Sequence, residues 1–254
     1  MSTKYDIERN IFNKVASKTI VKPMSKANLD RYASPRWPHL FPKEKLFAVA
    51  GDMRGKKVLE IGCGEGIEAV QLAYCGADVT CMDISDVSID VGRQRAALEG
   101  YTIDFRIVNI VEVESLGEED YDIVWCNLIL HHVVDSLDNV MNKIHRALKP
   151  GGMFISREPI AYAQWLKNIR NLFFVKKEGE ISEEQPFRES EFLAVSKYFP
   201  RFSNRHYRIL GRVDQVTNIL PVIRVFARVD NLLLQLPGAT RLAGDVVMWA
   251  KKTE

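Results

Sequence analysis

The segment Val58-Leu59-Glu60-Ile61-Gly62-Cys63-Gly64-Glu65-Gly66 constrains this chain more than any other. KKVLEI reads as a short buried strand, three glycines at alternate positions follow at once, and IEAVQLAYCG then runs with helical spacing to a glycine stop. Strand, glycine turn and helix in that order bring backbone N–H groups and a helix N-terminus close to a ligand, because a Cβ at the glycines would block its approach. A dinucleotide-binding G-x-G-x-x-G needs glycine at position 67, where Ile67 stands. The loop therefore suits a nucleoside better than a pyrophosphate, which argues against a nicotinamide oxidoreductase.

The same rhythm continues. ADVTCMDIS reads as a strand, DVSIDVGRQRAALEG as a helix, IDFRIVNI and YDIVWCN as strands, SLDNVMNKIHRAL as a helix and GGMFISREP as a fifth strand after the turn KPGG. Strands alternating with helices through short connections predict a doubly wound, mostly parallel sheet covered on both faces. SNRHYRIL and DVVMWAKK supply a sixth and a seventh strand, and about thirty residues from Gly211 to Gly244 between them are too many for a hairpin. The organisation expected is a helical cap over 1–50, a ligand-binding core over 51–160, and a C-terminal part over 161–254 that completes the sheet and carries inserted helices at 161–200 and 211–244. Asp83 ends the second strand about twenty residues beyond the glycines, where a carboxylate accepts from ribose hydroxyls.

Residues 56–160 resemble the core of the class I S-adenosylmethionine-dependent methyltransferases, on VLEIGCGEG, CMDIS and YDIVWCNLILHHVVDSLDNVMNKIHRALKPGG. The resemblance implies the seven-stranded Rossmann-like methyltransferase fold with its last strand antiparallel, and S-adenosylmethionine as cofactor, leaving S-adenosylhomocysteine. It places Glu60, Gly62, Cys63, Gly64 and Gly66 on the methionine part, Asp83 on the ribose, and Ile84 and Ile110 against adenine. Asn127 and Leu128 would line the sulfonium side. Many members carry Asp where this chain has Asn109, whose amide oxygen still accepts a hydrogen bond from the adenine amino group.

His131 and His132 follow the fourth strand at the carboxyl edge, where open α/β sheets place ligands, and His131 is the preferred catalytic candidate of the two. Glu158, at the end of the fifth strand, is the second candidate, able to orient a nucleophile or accept its proton; a salt bridge is its alternative role. No metal is expected, since adjacent histidines diverge and no third ligand is apparent. In the insert VDQVTNILPVIRVFARVDNLLLQLP, Val216, Ile219, Ile223 and Phe226 fall on one helix face and Arg224, Arg228, Asn231 and Gln235 on another. The first stripe is expected to be buried, the inserts forming an acceptor pocket and its lid, with simple packing on the sheet, a dimer or a membrane surface as alternatives. Arg170, Arg188, Arg205 and Arg208 would pair with an anionic group on a hydrophobic acceptor. Trp37, Tyr32 and Phe12 either close over the ligands or belong to the core.

Charge is uneven: Lys+Arg minus Asp+Glu is 13 − 5 over residues 1–57, 7 − 18 over 58–159 and 15 − 10 over 160–254. With a pI near 8.3 and no concentrated basic stripe, nucleic acid is not an expected partner. No apolar run is long enough to span a bilayer, and the polar start MSTKYDIERNIFNK is unlike a signal peptide, so a cytoplasmic protein is expected, with Cys63, Cys75, Cys81 and Cys126 reduced. The function expected is methyl transfer to a small molecule, hydrophobic or anionic. The alternatives are a catalytically inactive S-adenosylmethionine-binding partner protein and a methyltransferase acting on lipid at a membrane surface, with a homodimer as a further candidate assembly.

Overall fold

The computed structural model describes residues 3–117, 119–161, 186–210 and 219–253. Seven strands form one sheet: β1 (Lys57–Ile61), β2 (Asp78–Asp83), β3 (Asp104–Ile107), β4 (Tyr121–Asn127), β5 (Leu148–Pro159), β6 (Ser203–Tyr207) and β7 (Asp245–Lys251), in the order β3-β2-β1-β4-β5-β7-β6. The first five pair in parallel, and β7 runs antiparallel to both β5 and β6. The expected seven-stranded, mostly parallel sheet is the observed one. Its central strands are buried on both faces, which is why IVWC is a continuous apolar run and VLEI is broken only by Glu60, rather than either alternating.

Helices cover both faces. α2 (Lys26–Ala33), α3 (Pro42–Ala50), α4 (Ile67–Tyr74) and α5 (Asp86–Leu98) contribute to one core, in which Phe47 meets Trp125 edge-on at 4.8 Å. α6 (Leu137–Ala147) and α7 (Glu189–Tyr198) contribute to the other, where Phe154 stacks on Phe199 at 5.1 Å. α1 (Lys4–Ala16) begins at a Thr3–Asp6 capping box and contacts α5. The helical insert contains α8 (Leu220–Leu233), with Pro221 in its first turn.

Two sequence expectations shift here. β3 ends at Ile107 and not at Ile110: Val108 N–H still donates to the Asp83 carbonyl of β2 (2.8 Å), but Asn109 then turns the chain by accepting from Val111 N–H (3.1 Å). Of the stripe expected to be buried, Ile223 is half-buried, while Ile219 and Phe226 are 59% and 40% exposed. Val216 and Arg170 lie outside the described residues, as does most of 161–200.

Candidate active site

The strand order reverses between β1 and β4, and a cleft of about 160 Å³ opens at the carboxyl ends of β1 to β4 beside that switch point. Gly62 (φ +72°) is held by its N–H to the Met82 carbonyl at 2.7 Å, and an added Cβ there would strike Ile129 at 2.7 Å. Gly64 (φ +50°) differs: nothing lies within 4 Å of a Cβ built on it. Its side of the loop is an open cradle that a ligand can approach closely. Gly66 faces away, since a Cβ would stand 2.9 Å from Gly92 Cα and 3.1 Å from Phe105. It serves the packing of the loop against α5 and β3.

Asp83 receives Gly64 N–H at one carboxylate oxygen (2.8 Å) and Ser85 N–H at the other (2.8 Å). Each oxygen keeps a lone pair for a hydroxyl. Burial pushes the Asp83 carboxyl above its usual range, opposed by those backbone donors and by nearby His132. Met82, Ile84, Val108 and Ile110 give the cleft apolar walls, and Asn109 stands among them. Apolar walls, a two-acceptor carboxylate and an open glycine are what a nucleoside requires.

Leu128 adopts a left-handed backbone (φ +61°), unusual for a non-glycine residue, at the point where β4 enters the cleft. Its N–H donates to the Arg157 carbonyl (2.8 Å), and the next turn is clamped by Glu158. That carboxylate accepts from the backbone N–H groups of Ile129 (3.4 Å), Leu130 (3.0 Å) and His131 (3.3 Å), from Ser156 Oγ (3.1 Å) and from His131 Nδ1 (2.8 Å). Glu158 is 0% exposed and lines neither cleft.

Glu158, expected to face the acceptor, holds the turn in this structure, and His131 points inward to it. His132 is the histidine in the cleft wall, with Nδ1 3.8 Å from Glu8 Oε1 and its ring edge-on to Phe12 at 5.6 Å. Tyr5, Glu8 and Phe12 show that α1 roofs the cleft. It is tied down where Ser85 Oγ donates to Asn13 (2.6 Å) and Asn13 donates to Asp86 (2.8 Å). α1 has a mostly polar sequence, so hydrophobic periodicity gave little sign of this role.

Glu60 and Cys63 sit beneath the loop, 3% and 7% exposed, with Cys81 Sγ directed at Glu60 (3.5 Å). Burial, and then the neighbouring Glu68, hold the Glu60 carboxyl well above its usual range. Glu68 had no sequence signal beyond opening a helix, yet it organises the end of β4. It accepts from Asn127 (2.6 Å), Trp125 Nε1 (2.8 Å) and Lys43 (2.9 Å).

Residues 59–156 match the methyltransferase domain family. A ubiquinone biosynthesis O-methyltransferase of Pseudomonas syringae is 30% identical over 178 residues, covering 64% of this chain and 76% of that protein. The Photobacterium profundum protein of the same name is 32% identical, over 62% of this chain and 68% of its own length. The chain belongs to the class I S-adenosylmethionine-dependent methyltransferases. Against two Bordetella relatives of that name the match spans 65% and 63% of their length, just under two thirds. Among solved structures, a Streptomyces coelicolor geranyl diphosphate C-methyltransferase superposes with a TM-score of 0.59 at 13% identity, over 97% of this chain and 98% of its own. A Haemonchus contortus phosphoethanolamine N-methyltransferase gives 0.57 at 17%, over 99% and 58%. These two agree with the fold.

The methyltransferase has a second cleft, of about 300 Å³, between α2, α3, β6 and α8. Apolar groups dominate it, including Tyr32, Leu40, Phe41, Tyr207, Ile223 and Phe226. Its cations are backed by carboxylates: Arg31 by Glu44 (2.7 Å), Lys43 by Glu68 (2.9 Å), and Arg157 and Arg208 by Asp245 (2.6 and 3.5 Å). Tyr207 donates to the Pro38 carbonyl (2.7 Å), and burial pushes its phenol far up, which makes it a wall and not a base. Arg205 bonds Asn231 (2.7 Å), while Arg188 lines neither cleft. Of the three aromatic candidates, Phe12 lines the first cleft and Tyr32 the second. Trp37 lines neither and lies under Arg224 and Arg228.

Proposed function

We propose that this methyltransferase binds S-adenosylmethionine in the first cleft and transfers its methyl group to a hydrophobic small molecule held in the second. The observation that carries this reading is the placement of two clefts on either side of the Asn127–Leu128 turn. Leu128 walls the first, its backbone is bonded to Arg157 of the second, and Asn127 is linked through Glu68 to Lys43 of the second.

In the first cleft, Asp83 would take the ribose, Ile84, Asn109 and Ile110 the adenine, and Gly62, Gly64 and the Asn127–Leu128 turn the methionine part. Glu60 and Cys63 act from beneath the loop. The bound cofactor supplies a methyl group on a sulfonium with a neutral leaving group. What the protein contributes is alignment and exclusion of water, and positioning of this kind is worth about 7–11 kcal/mol of barrier. α1 excludes water from above, while Glu158 and His131 keep the turn rigid. His132, facing the cleft beside Glu8, is the group placed to hold a proton there.

An apolar acceptor is favoured over a purely anionic one because the cations of the second cleft face carboxylates already. They offer orienting hydrogen bonds to an acceptor's oxygen atoms and little surplus charge. The relatives named for O-methylation in ubiquinone biosynthesis and the neighbour named for C-methylation of geranyl diphosphate are consistent with such an acceptor. The test is calorimetry with S-adenosylhomocysteine, joined to labelled methyl transfer into host extracts partitioned between organic and aqueous phases. Asp83→Ala is expected to weaken cofactor binding by about 1.5–3 kcal/mol, roughly 10- to 150-fold. Label appearing only in water-soluble product would overturn the hydrophobic acceptor, and unchanged affinity would overturn the ribose assignment.

A further inference from the structure

α8 is apolar on two faces. The inner face, with Leu220, Ile223, Ala227 and Leu234, lines the second cleft. The outer face carries Val222, Val225 (54% exposed), Val229 and Leu232 (63%), prolonged by Leu236 (57%) beyond the helix end. At 100° per residue these fall within one arc. One border of that arc is cationic: Arg224 and Arg228, exposed, lie over the Trp37 ring at 5.9 and 5.7 Å. The other border holds Asp230, the only carboxylate of the helix, which is buried and accepts from Leu210 N–H (2.8 Å). An outward apolar strip edged by arginine, with its one acid turned inside, has the charge pattern of a helix lying in a lipid interface.

We propose that α8 docks this methyltransferase onto an anionic phospholipid surface, its outer face in the acyl boundary and Arg224 and Arg228 at the headgroups. The alternative occupant, a second copy of the chain, fits less well. The helix is about 21 Å long, and its outer strip offers on the order of 500 Å², short of the roughly 800 Å² per partner of a standard interface. Two such strips packed antiparallel would also bring like-charged arginine borders together. Phe226 belongs to both environments, 40% exposed and part of the cleft lining. An acceptor with an acyl or isoprenoid chain would therefore pass from bilayer to cleft along α8. This last step rests on the reading of the second cleft as the acceptor site; the docking itself does not.

The experiment is co-sedimentation of the full chain with vesicles of phosphatidylcholine alone or with about one third phosphatidylglycerol. Light scattering for oligomeric state and S-adenosylhomocysteine calorimetry accompany it. Binding is expected to the anionic vesicles only and to weaken as salt rises. Val225→Asp with Leu232→Asp should lower partitioning at least tenfold, with cofactor affinity and melting temperature unchanged. Arg224→Gln with Arg228→Gln, which leaves the apolar face intact, should lower it by about fivefold per arginine. The proposal is overturned by absence of binding to anionic vesicles, by binding that both double variants retain, or by a dimer that the aspartate variants dissolve. Loss of cofactor affinity in the parent chain would count against the proposed activity and not against docking.

Discussion

Replacing Glu158 by Gln tests whether this carboxylate clamps the turn or does chemistry, because the side chain keeps its shape and loses one acceptor atom. In the parent, one oxygen receives Ile129 N–H, Leu130 N–H and Ser156 Oγ, and the other receives His131 N–H and His131 Nδ1. If the Gln oxygen takes the three-donor side, its NH2 faces the His131 backbone N–H, donor against donor, at a residue that is 0% exposed. An orphaned buried donor costs about 1–3 kcal/mol, and the remaining bonds lose their charge assistance, for about 2–5 kcal/mol in all. At about 2–4 °C per kcal/mol for a chain of this size, melting should fall by roughly 4–20 °C. The turn also carries Leu128 and Ile129 of the cofactor cleft, so S-adenosylhomocysteine affinity should fall with it. Circular-dichroism melting, calorimetry and the pH dependence of kcat provide the assay. An unchanged melting temperature and affinity, with kcat reduced and its pH profile altered, would refute the clamp and restore Glu158 as a proton acceptor.

Gly66→Ala should cost about 2–5 kcal/mol in urea unfolding, from a left-handed backbone plus overlap with Gly92 and Phe105. Gly64→Ala meets no atom within 4 Å and should cost only about 1–2 kcal/mol of stability, with its larger effect on cofactor affinity. Glu60→Gln should raise the melting temperature of the ligand-free protein at pH 8. Glu60 has a folded pKa above the unfolded one, so it binds more protons folded than unfolded, and the parent loses stability as pH rises above about 4.5. The gain should shrink towards zero as pH falls to that value, and a gain independent of pH would refute burial of the charge as its cause. His132→Ala should alter turnover or cofactor binding more than stability, whereas His131→Ala should mainly destabilise; the reverse order in paired melts and kinetics would reinstate His131 as the cleft histidine.

The sequence by itself determined the sheet and the glycine loop and strand-end carboxylate that meet in the first cleft, because all of these depend on local patterns. A two-face-buried strand is a continuous apolar run, a glycine loop needs its glycines at set positions, and a strand-end carboxylate such as Asp83 follows at a set spacing. Tertiary structure alone decided which neighbour of an adjacent pair faces the ligand. His131 and His132 are equivalent in sequence, and it is Glu158, arriving from β5, that turns one inward and leaves the other in the cleft wall. The same holds for α8, whose apolar residues nearly encircle the helix, so periodicity named a stripe but not which stripe meets the protein. It holds too for α1 and Glu68, whose roles arise from contacts more than fifty residues away in the chain. Such contacts depend on where the sheet brings distant segments together, and local sequence patterns carry no record of that.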